Sequence, residues 1–324
     1  MRYGADDWEK VVETLAKADA VVIGTHVNPD GDAVGSTLAA SLALRKHGTK
    51  TYPSWGTVPV SVPFGYAFLP ASETFLQVED VPETDVFLAL DCGAADRLGE
   101  LEDVAKKASV VINVDHHPGN DNFGDLNLVI ETASSTAELV TWLIQDLGIE
   151  IDADIATCLY TGIVTDTGRF QYANSSPEVM RLAADLLARG VPHVEVAQEV
   201  FESSPFGYLK LTGRVLDRAV LDETISFVYS WLTLDDLDQT GVGIDETEKL
   251  IDLVRSTRSA TVAAMFKEQP DGTYRASLRS KGPTSVGAIA RSLGGGGHEL
   301  AAGFTADSVE HAVAKVTAAL TSTR

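Results

Sequence analysis

The sequence has 324 residues, enough for about two domains with separate cores, and its 44% apolar and 22% charged residues are the balance of an ordinary soluble enzyme. Its 25 basic and 47 acidic residues leave a net charge of −22, which opposes sequence-independent binding along a long nucleic-acid backbone. It does not oppose capture of a short phosphorylated substrate through bound cations, whose charge dominates the local field. Two cysteines, Cys92 and Cys158, are too few for a disulfide scaffold. The opening "MRYGADDWEK" lacks a basic stretch followed by an apolar one, and no apolar run approaches the length of a membrane span. The expectation is a cytoplasmic chain with neither a membrane nor a long duplex as partner.

In chain order, the first half alternates β-rich runs with helical patterns, as in a parallel sheet covered by helices. "AVVIGTH" reads as a strand with His26 at its carboxyl end. After a loop containing Pro29 and Gly31, "AVGSTLAASLALRKHG" reads as a helix stopped by Gly48. "DVFLALDCG" is a strand ending in Asp91, and "ASVVINVDHH" is a strand ending in Asp115, His116 and His117. In open α/β sheets this carboxyl edge is where ligands bind. "SSTAELVTWLIQDLG" reads as a helix, as does "DADIATCLYTGIVTDTG", which places Asp166 near a helix end. "SPEVMRLAADLLARG" gives a further helix, closed by Gly190.

Residues 191–213, polar and punctuated by proline, read as a helical linker between domains 1–190 and 214–324. The second domain reads as a smaller α/β unit. "AVLDETISFVYSWL" is strand-like, and "ATVAAMFKE" and "TYRASLRSK" flank a Pro-Asp-Gly turn as a hairpin. The helical patterns "DETEKLIDLVRST", "SVGAIARSL" and "SVEHAVAKVTAALTS" accompany them.

Taken singly, the chemical groups have plain readings. His26, Asp30 and Asp32 fit an Asp-Gly turn with Asp32 capping the next helix. Asp91 fits a strand-end turn, and His116 and His117 fit a buried pair satisfied by backbone carbonyls. Together with Asp166, however, they put at least six metal-capable groups on one edge of one sheet, which favours a metal site. Carboxylates with some imidazole suit Mn²⁺ or another octahedral divalent ion better than thiolate-bound zinc. So many ligands are used economically by two ions sharing one carboxylate. "SLGGGGHELAAG" reads as a flexible linker or as a loop offering N–H groups to a phosphate; His298, Arg279 and Lys281 nearby favour the second.

The ordered motifs His26-x-x-x-Asp30-x-Asp32, "DCGAADRLG", "VDHHPGNDNFG", "ASSTAEL" and "TDTGRF" resemble those of the DHH phosphoesterases. "LRSKGPTSVGAIARSLGGGGHELAAGF" resembles their associated DHHA1 substrate-binding domain. The length looks most like the branch that degrades nanoRNA and dephosphorylates 3′-phosphoadenosine 5′-phosphate (pAp), rather than the larger RecJ type. The fold implied is an N-terminal parallel-sheet domain with helices on both faces and a smaller C-terminal α/β domain with a mixed sheet. The strong acidity, with Glu299 straight after the GGGGH loop, departs from what a grip on long nucleic acid would want.

The resemblance implies that His26, Asp30 and Asp91 hold one Mn²⁺ and Asp32, Asp91, His116 and Asp166 a second, with Mg²⁺ or Co²⁺ as substitutes. It implies that His117 faces the substrate phosphate and that Asp115 orients the imidazoles. Arg279, Gly295, Gly296, Gly297 and His298 would bind substrate, as would Arg169, for which a surface salt bridge is the alternative. The implied substrates are short oligoribonucleotides, cut to mononucleotides in a cleft between the domains, and pAp, cut to AMP. Cyclic or linear di-AMP is the nearest alternative, followed by a longer single strand and by nucleotide binding without turnover. A homodimer is a further expectation.

Overall fold

In the computed structural model, which describes residues 7–322, the runs richest in β-branched and aliphatic residues form the centre of a parallel sheet. Its strands are β1 (Ala20–Thr25), β2 (Lys50–Trp55), β3 (Val86–Leu90), β4 (Val110–Asp115) and β5 (Leu126–Val129), in the order β2-β1-β3-β4-β5. All four neighbouring pairs are parallel. A parallel sheet must be covered on both faces, and β3, buried along its whole length, shows why its sequence is unbroken apolar. The sequence reading found β1, β3 and β4 but neither edge strand. β2 carries Pro53, which removes a donor and is tolerated on an edge, and β5 has only four residues.

One face carries α1 (Trp8–Lys17), α2 (Gly31–His47), α4 (Thr136–Asp146) and α5 (Ala153–Asp166), which share one core with Val21, Ile23, Leu88, Ile112 and Val114. The other face packs Val22, Phe87 and Ala89 against Leu98, Leu101 and Ala105, the last of these in the short α3 (Glu102–Ala105). Val21 and Ile23 face one core and Val22 the other, the period-2 alternation of a strand covered twice. Each fully buried Leu or Ile contributes about 1.5–3 kcal/mol here.

Helix α2 is buried along most of its length because it lies between the sheet and α5. Small residues permit that approach. A Cβ on Gly35 would lie 2.5 Å from the Cys158 carbonyl oxygen, and one on Gly162 would lie 2.7 Å from Ala137 Cβ. Helices α6 (Pro177–Leu187) and α7 (His193–Ala197) complete this first unit, which ends at Ser203.

The second unit begins at Ser204. This division falls inside the stretch expected to link the domains: Val196 and Val200 pack into the first core, Tyr208 and Leu211 of α8 (Phe206–Asp217) into the second unit. Its sheet comprises β6 (Val220–Asp222), β7 (Phe227–Leu232), β8 (Val262–Glu268), β9 (Tyr274–Ser280), β10 (Gly296–Gly297) and β11 (Ala301–Ala306). The order is β10-β11-β9-β8-β7-β6, antiparallel except for β7–β8, so the sheet is mixed. The parallel pair is allowed because the connection between β7 and β8 is long enough to cross over, carrying α9 (Leu234–Thr240) and α10 (Leu250–Arg255). Phe227, Ala264 and Leu278 meet α11 (Val286–Ser292) and α12 (Val309–Ser322) on one face. Val228, Ala263 and Met265 meet α8, α9 and α10 on the other. Two details differ from the sequence reading. The run 219–232 is two strands, broken where Ser226 takes a left-handed φ of 54°, and the glycine run is partly an edge strand rather than a free loop.

Candidate metal centre

Three strand ends supply the core of the site. β1 delivers His26, β3 delivers Asp91 and β4 ends in Asp115 with His116 and His117 following. The N-terminus of α2 adds Asp30 and Asp32, and the C-terminus of α5 adds Asp166. The helix cap is Asp30, not Asp32: its carboxylate accepts from the backbone N–H groups of Asp32 and Ala33. Asp32 therefore points inward from the first turn, buried, and accepts from Thr136 N–H at 2.6 Å, Ala137 N–H at 2.9 Å and Ser36 Oγ–H at 3.1 Å.

Both metal-type imidazoles are oriented by backbone. His26 Nδ1 lies 2.8 Å from the Val27 carbonyl and His116 Nδ1 lies 3.3 Å from that of Ala133. A carbonyl only accepts, so Nδ1 carries the proton in each ring and Nε2 is the atom able to ligate a metal. His26 Nε2 then stands 3.6 Å from Asp91 Oδ2. His116 Nε2 stands 3.7 Å from Asp91 Oδ1, 3.6 Å from Asp166 Oδ2 and 3.9 Å from Asp32 Oδ2. These gaps exceed hydrogen-bond length, but atoms about 2.0–2.4 Å from one shared ion stand roughly 3–4 Å apart. The ligand atoms of His26, Asp30 and Asp91 lie within 4.8 Å of one another, and so do those of Asp32, Asp91 and His116. Asp91 belongs to both groups and turns a different oxygen to each.

The electrostatics fit cations. Burial raises the pKa of Asp32 well above the carboxylate range, and the charges of Asp91, Asp166 and Asp30 add to it. Yet all three of its hydrogen bonds are donated to it, the pattern of an ionised acceptor. A positive ion held there would resolve that conflict. Asp166 is pushed up to about 6, first by burial and then by Asp30 and Asp91 against the opposing His116. Burial also works against ionised Asp91, but His26, His117 and His116 surround it and hold its carboxyl far below the usual range. The backbone of Asp91 is left-handed, with φ 56°, which costs a residue other than glycine about 1–3 kcal/mol and recurs at functional sites.

His117 differs from His116. Its Nδ1 donates to Asp115 Oδ1 at 2.8 Å. Burial alone would lower its pKa, but Asp115 and Asp91 raise it to about 10, so the ring stays charged. Asp115 is fully buried and also accepts from Asn120 Nδ2 at 2.6 Å. Thr136 Oγ1 donates to Asp91 Oδ1 at 3.0 Å.

His26, Asp30, Asp32, His116, His117 and Asp166, six residues expected at the metals or phosphate, thus gather with Asp115 around Asp91. Arg169 lies three residues beyond Asp166, exposed, its guanidinium 5.1 Å from the centre of the Phe201 ring rather than against a carboxylate among the described residues. Gly168, Arg169 and Phe170 are successive left-handed residues. In the second unit Arg279 is half-buried on β9 and donates to the Leu278 carbonyl. Gly296 and Gly297 pair with Gly303 and Ala302 of β11. Gly297, at φ 125°, has no room for a side chain, since a Cβ would lie 2.6 Å from Ala302 Cα. Gly295 is likewise closed by the Gly303 carbonyl oxygen, while Gly296 faces open space. His298 follows the pair directly.

Sequence reasoning passed over Ser36, Thr136, Asn113 and Asn120. Asn113 left one signal: a fully buried amide in the middle of an otherwise apolar strand.

Residues 20–163 match the DHH family, N-terminal domain, and residues 224–322 match the DHHA1 domain. The chain is 36% identical to the bifunctional oligoribonuclease and PAP phosphatase NrnA of Thermus thermophilus, over 92% of this chain and 89% of that one. It is 27% identical to the protein of the same name from Bacillus subtilis, over 94% of each. Among solved structures it is similar to an exopolyphosphatase-related protein from Bacteroides fragilis, with a TM-score of 0.88 and 27% identity over 97% of this chain and 95% of that one. Two domain matches in the expected order, over a ligand set gathered at one sheet edge, place the chain in the DHH family, with a DHHA1 domain following its DHH domain.

Proposed function

We propose that this chain is a phosphoesterase that hydrolyses short oligoribonucleotides to mononucleotides and pAp to AMP, using two Mn²⁺ ions. The observation that carries the reading is Asp91, a buried carboxylate standing between two sets of oxygen and imidazole ligands. The relatives' names supply the substrate class. His26, Asp30 and Asp91 would hold one ion, and Asp32, Asp91, His116 and Asp166 the other. Two such ions supply Lewis acidity toward phosphoryl oxygen and make water acidic enough to attack near neutral pH.

The chain's own residues do the rest. Asp115 keeps His117 protonated, so its imidazolium can donate to a phosphoryl oxygen and stabilise the charge that builds there. Thr136 and Ser36 hold the carboxylates of Asp91 and Asp32 in one rotamer each, which keeps the ligand positions fixed through turnover. Arg279, Arg169, His298 and the Gly295–Gly297 segment are assigned to the substrate, Arg279 as a fork for phosphate and the glycines as bare backbone that lets it approach. A net charge of −22 restricts the grip to short substrates. A panel of pAp, a diribonucleotide, a long single strand and cyclic di-AMP, assayed with Mn²⁺, tests this reading. Turnover of pAp and the dinucleotide should dominate; equal specific activity on the long strand, or no turnover of any of them, would overturn it.

A further inference from the structure

Behind the His117–Asp115 pair lies a chain of side-chain amides that the metal ligands do not use. Asn113 stands in β4 with no exposed surface, two residues before Asp115. Its Nδ2 donates to the Cys92 carbonyl at 3.0 Å, the peptide group following Asp91 and Cys92. Its Oδ1 accepts from Asn120 Nδ2 at 2.9 Å. The same Asn120 amide donates to Asp115 Oδ2 at 2.6 Å and lies 3.2 Å from the Cys92 carbonyl. The Asn122 backbone N–H donates to Asn120 Oδ1 at 2.7 Å, which settles which end of the amide is the donor. The loop is pinned once more where Asp121 N–H meets the Gly93 carbonyl at 2.9 Å.

Each acceptor in this network faces a donor, so the arrangement has one low-energy setting. Asp115 Oδ1 is given to His117 and Oδ2 to Asn120, and rotating the carboxylate would break both bonds. We infer that Asn120 is a positioning residue for the His117 imidazole: it locks the Asp115 rotamer and, through Asn113, ties that rotamer to the backbone beside Asp91. The inference rests on the reading that His117 faces the substrate phosphate.

Two variants separate hydrogen-bond donation from packing. Asn120→Asp keeps the shape but turns a carboxylate toward Asp115 Oδ2, Asn113 Oδ1 and the Cys92 carbonyl, all acceptors. Asn120→Ala simply removes the donor. With pAp and saturating Mn²⁺, Asn120→Ala should lower kcat about 10–100-fold, the usual effect of losing such a support, while KM, bound metal and melting temperature change little. Asn120→Asp should be worse than Asn120→Ala. If packing were the role, the isosteric Asp variant would behave like wild type and the order would reverse.

A second readout does not depend on turnover. In ¹⁵N-labelled protein the His117 Nδ1–H proton resonance should move upfield in Asn120→Ala, as its bond to Asp115 lengthens. An unchanged resonance, an Asp variant as active as wild type, or a loss of bound metal equal to the loss of kcat would overturn the assignment. A moved resonance in a protein that turns over neither pAp nor dinucleotide would leave the positioning role standing and overturn the functional reading instead.

Discussion

Gly162 sits where α2, α4 and α5 meet, and Gly162→Ala should damage the Asp32 side of the metal centre. The added Cβ would lie 2.7 Å from Ala137 Cβ and 2.8 Å from Asp32 Oδ1. Carbon pairs are content at about 3.5–4.0 Å and carbon–oxygen pairs at about 3.3 Å, so roughly 1 Å and 0.5 Å must be found. Asp32 Oδ1 cannot yield freely, because it accepts from Ala137 N–H at 2.9 Å and Ser36 Oγ at 3.1 Å. Overpacking costs about 1–3 kcal/mol and loss of a bond to an ionised acceptor about 1.5–3, against about 1 gained by replacing glycine in a helix. The expected net is a destabilisation of about 1.5–5 kcal/mol. A ligand moved by about 0.5 Å is at the edge of productive geometry, so metal affinity should fall about tenfold or more. Urea denaturation in chelator measures the first effect and metal titration the second. A variant at least as stable as wild type, with unchanged affinity, would refute the close-packing argument.

Asp91→Ala should be the most damaging ligand change, abolishing turnover and most metal binding; near-wild-type rates would show that the shared carboxylate is elsewhere. Arg279→Ala and His298→Ala should keep the metal but lose about 2–4 kcal/mol in kcat/KM on nucleotides. The small ester bis(p-nitrophenyl) phosphate should lose far less, and equal losses on both substrates would remove these residues from substrate binding. In the second unit, burial opposes ionisation of Asp236, but bonds donated by Arg218 and by the Thr233 N–H and hydroxyl hold its pKa down at about 2 from 3.8. That depressed value is worth about 2 kcal/mol, fully present above about pH 4 and lost as pH falls toward 2. Asp236→Asn should therefore lower the urea midpoint at pH 7, and the gap to wild type should close between pH 4 and 2.

The central strands and the metal-capable residues at their ends were legible because a doubly covered parallel strand must be apolar and must stop where a polar residue leaves the sheet. β2 and β5 were not, since an edge strand is relieved of half its pairing and tolerates Pro53 or a four-residue run. That His26, Asp30, Asp32, Asp91, His116 and Asp166 come together was readable from residue type and strand ends. The supports around them were not: Asn120 looks like an ordinary turn residue, and Ser36 and Thr136 like ordinary helix residues, until the fold sets them against carboxylates. The glycine run misled in the other direction. Its composition suggests freedom, whereas Gly295 and Gly297 are glycine because β11 leaves no room for a Cβ.

The carboxylates of Asp32 and Asp166 set the protein's working chemistry against its endurance. Burial and mutual repulsion disfavour both as ions, so neutral residues there would relieve the fold, whereas Asp91 is held ionised by His26, His117 and His116 and would give no such relief. A directed-evolution library of this chain ranked on heat resistance in metal-free buffer should thus enrich substitutions at Asp32 and Asp166. Its winners would be robust and inert, so a useful campaign must hold both positions fixed or screen with the metal present.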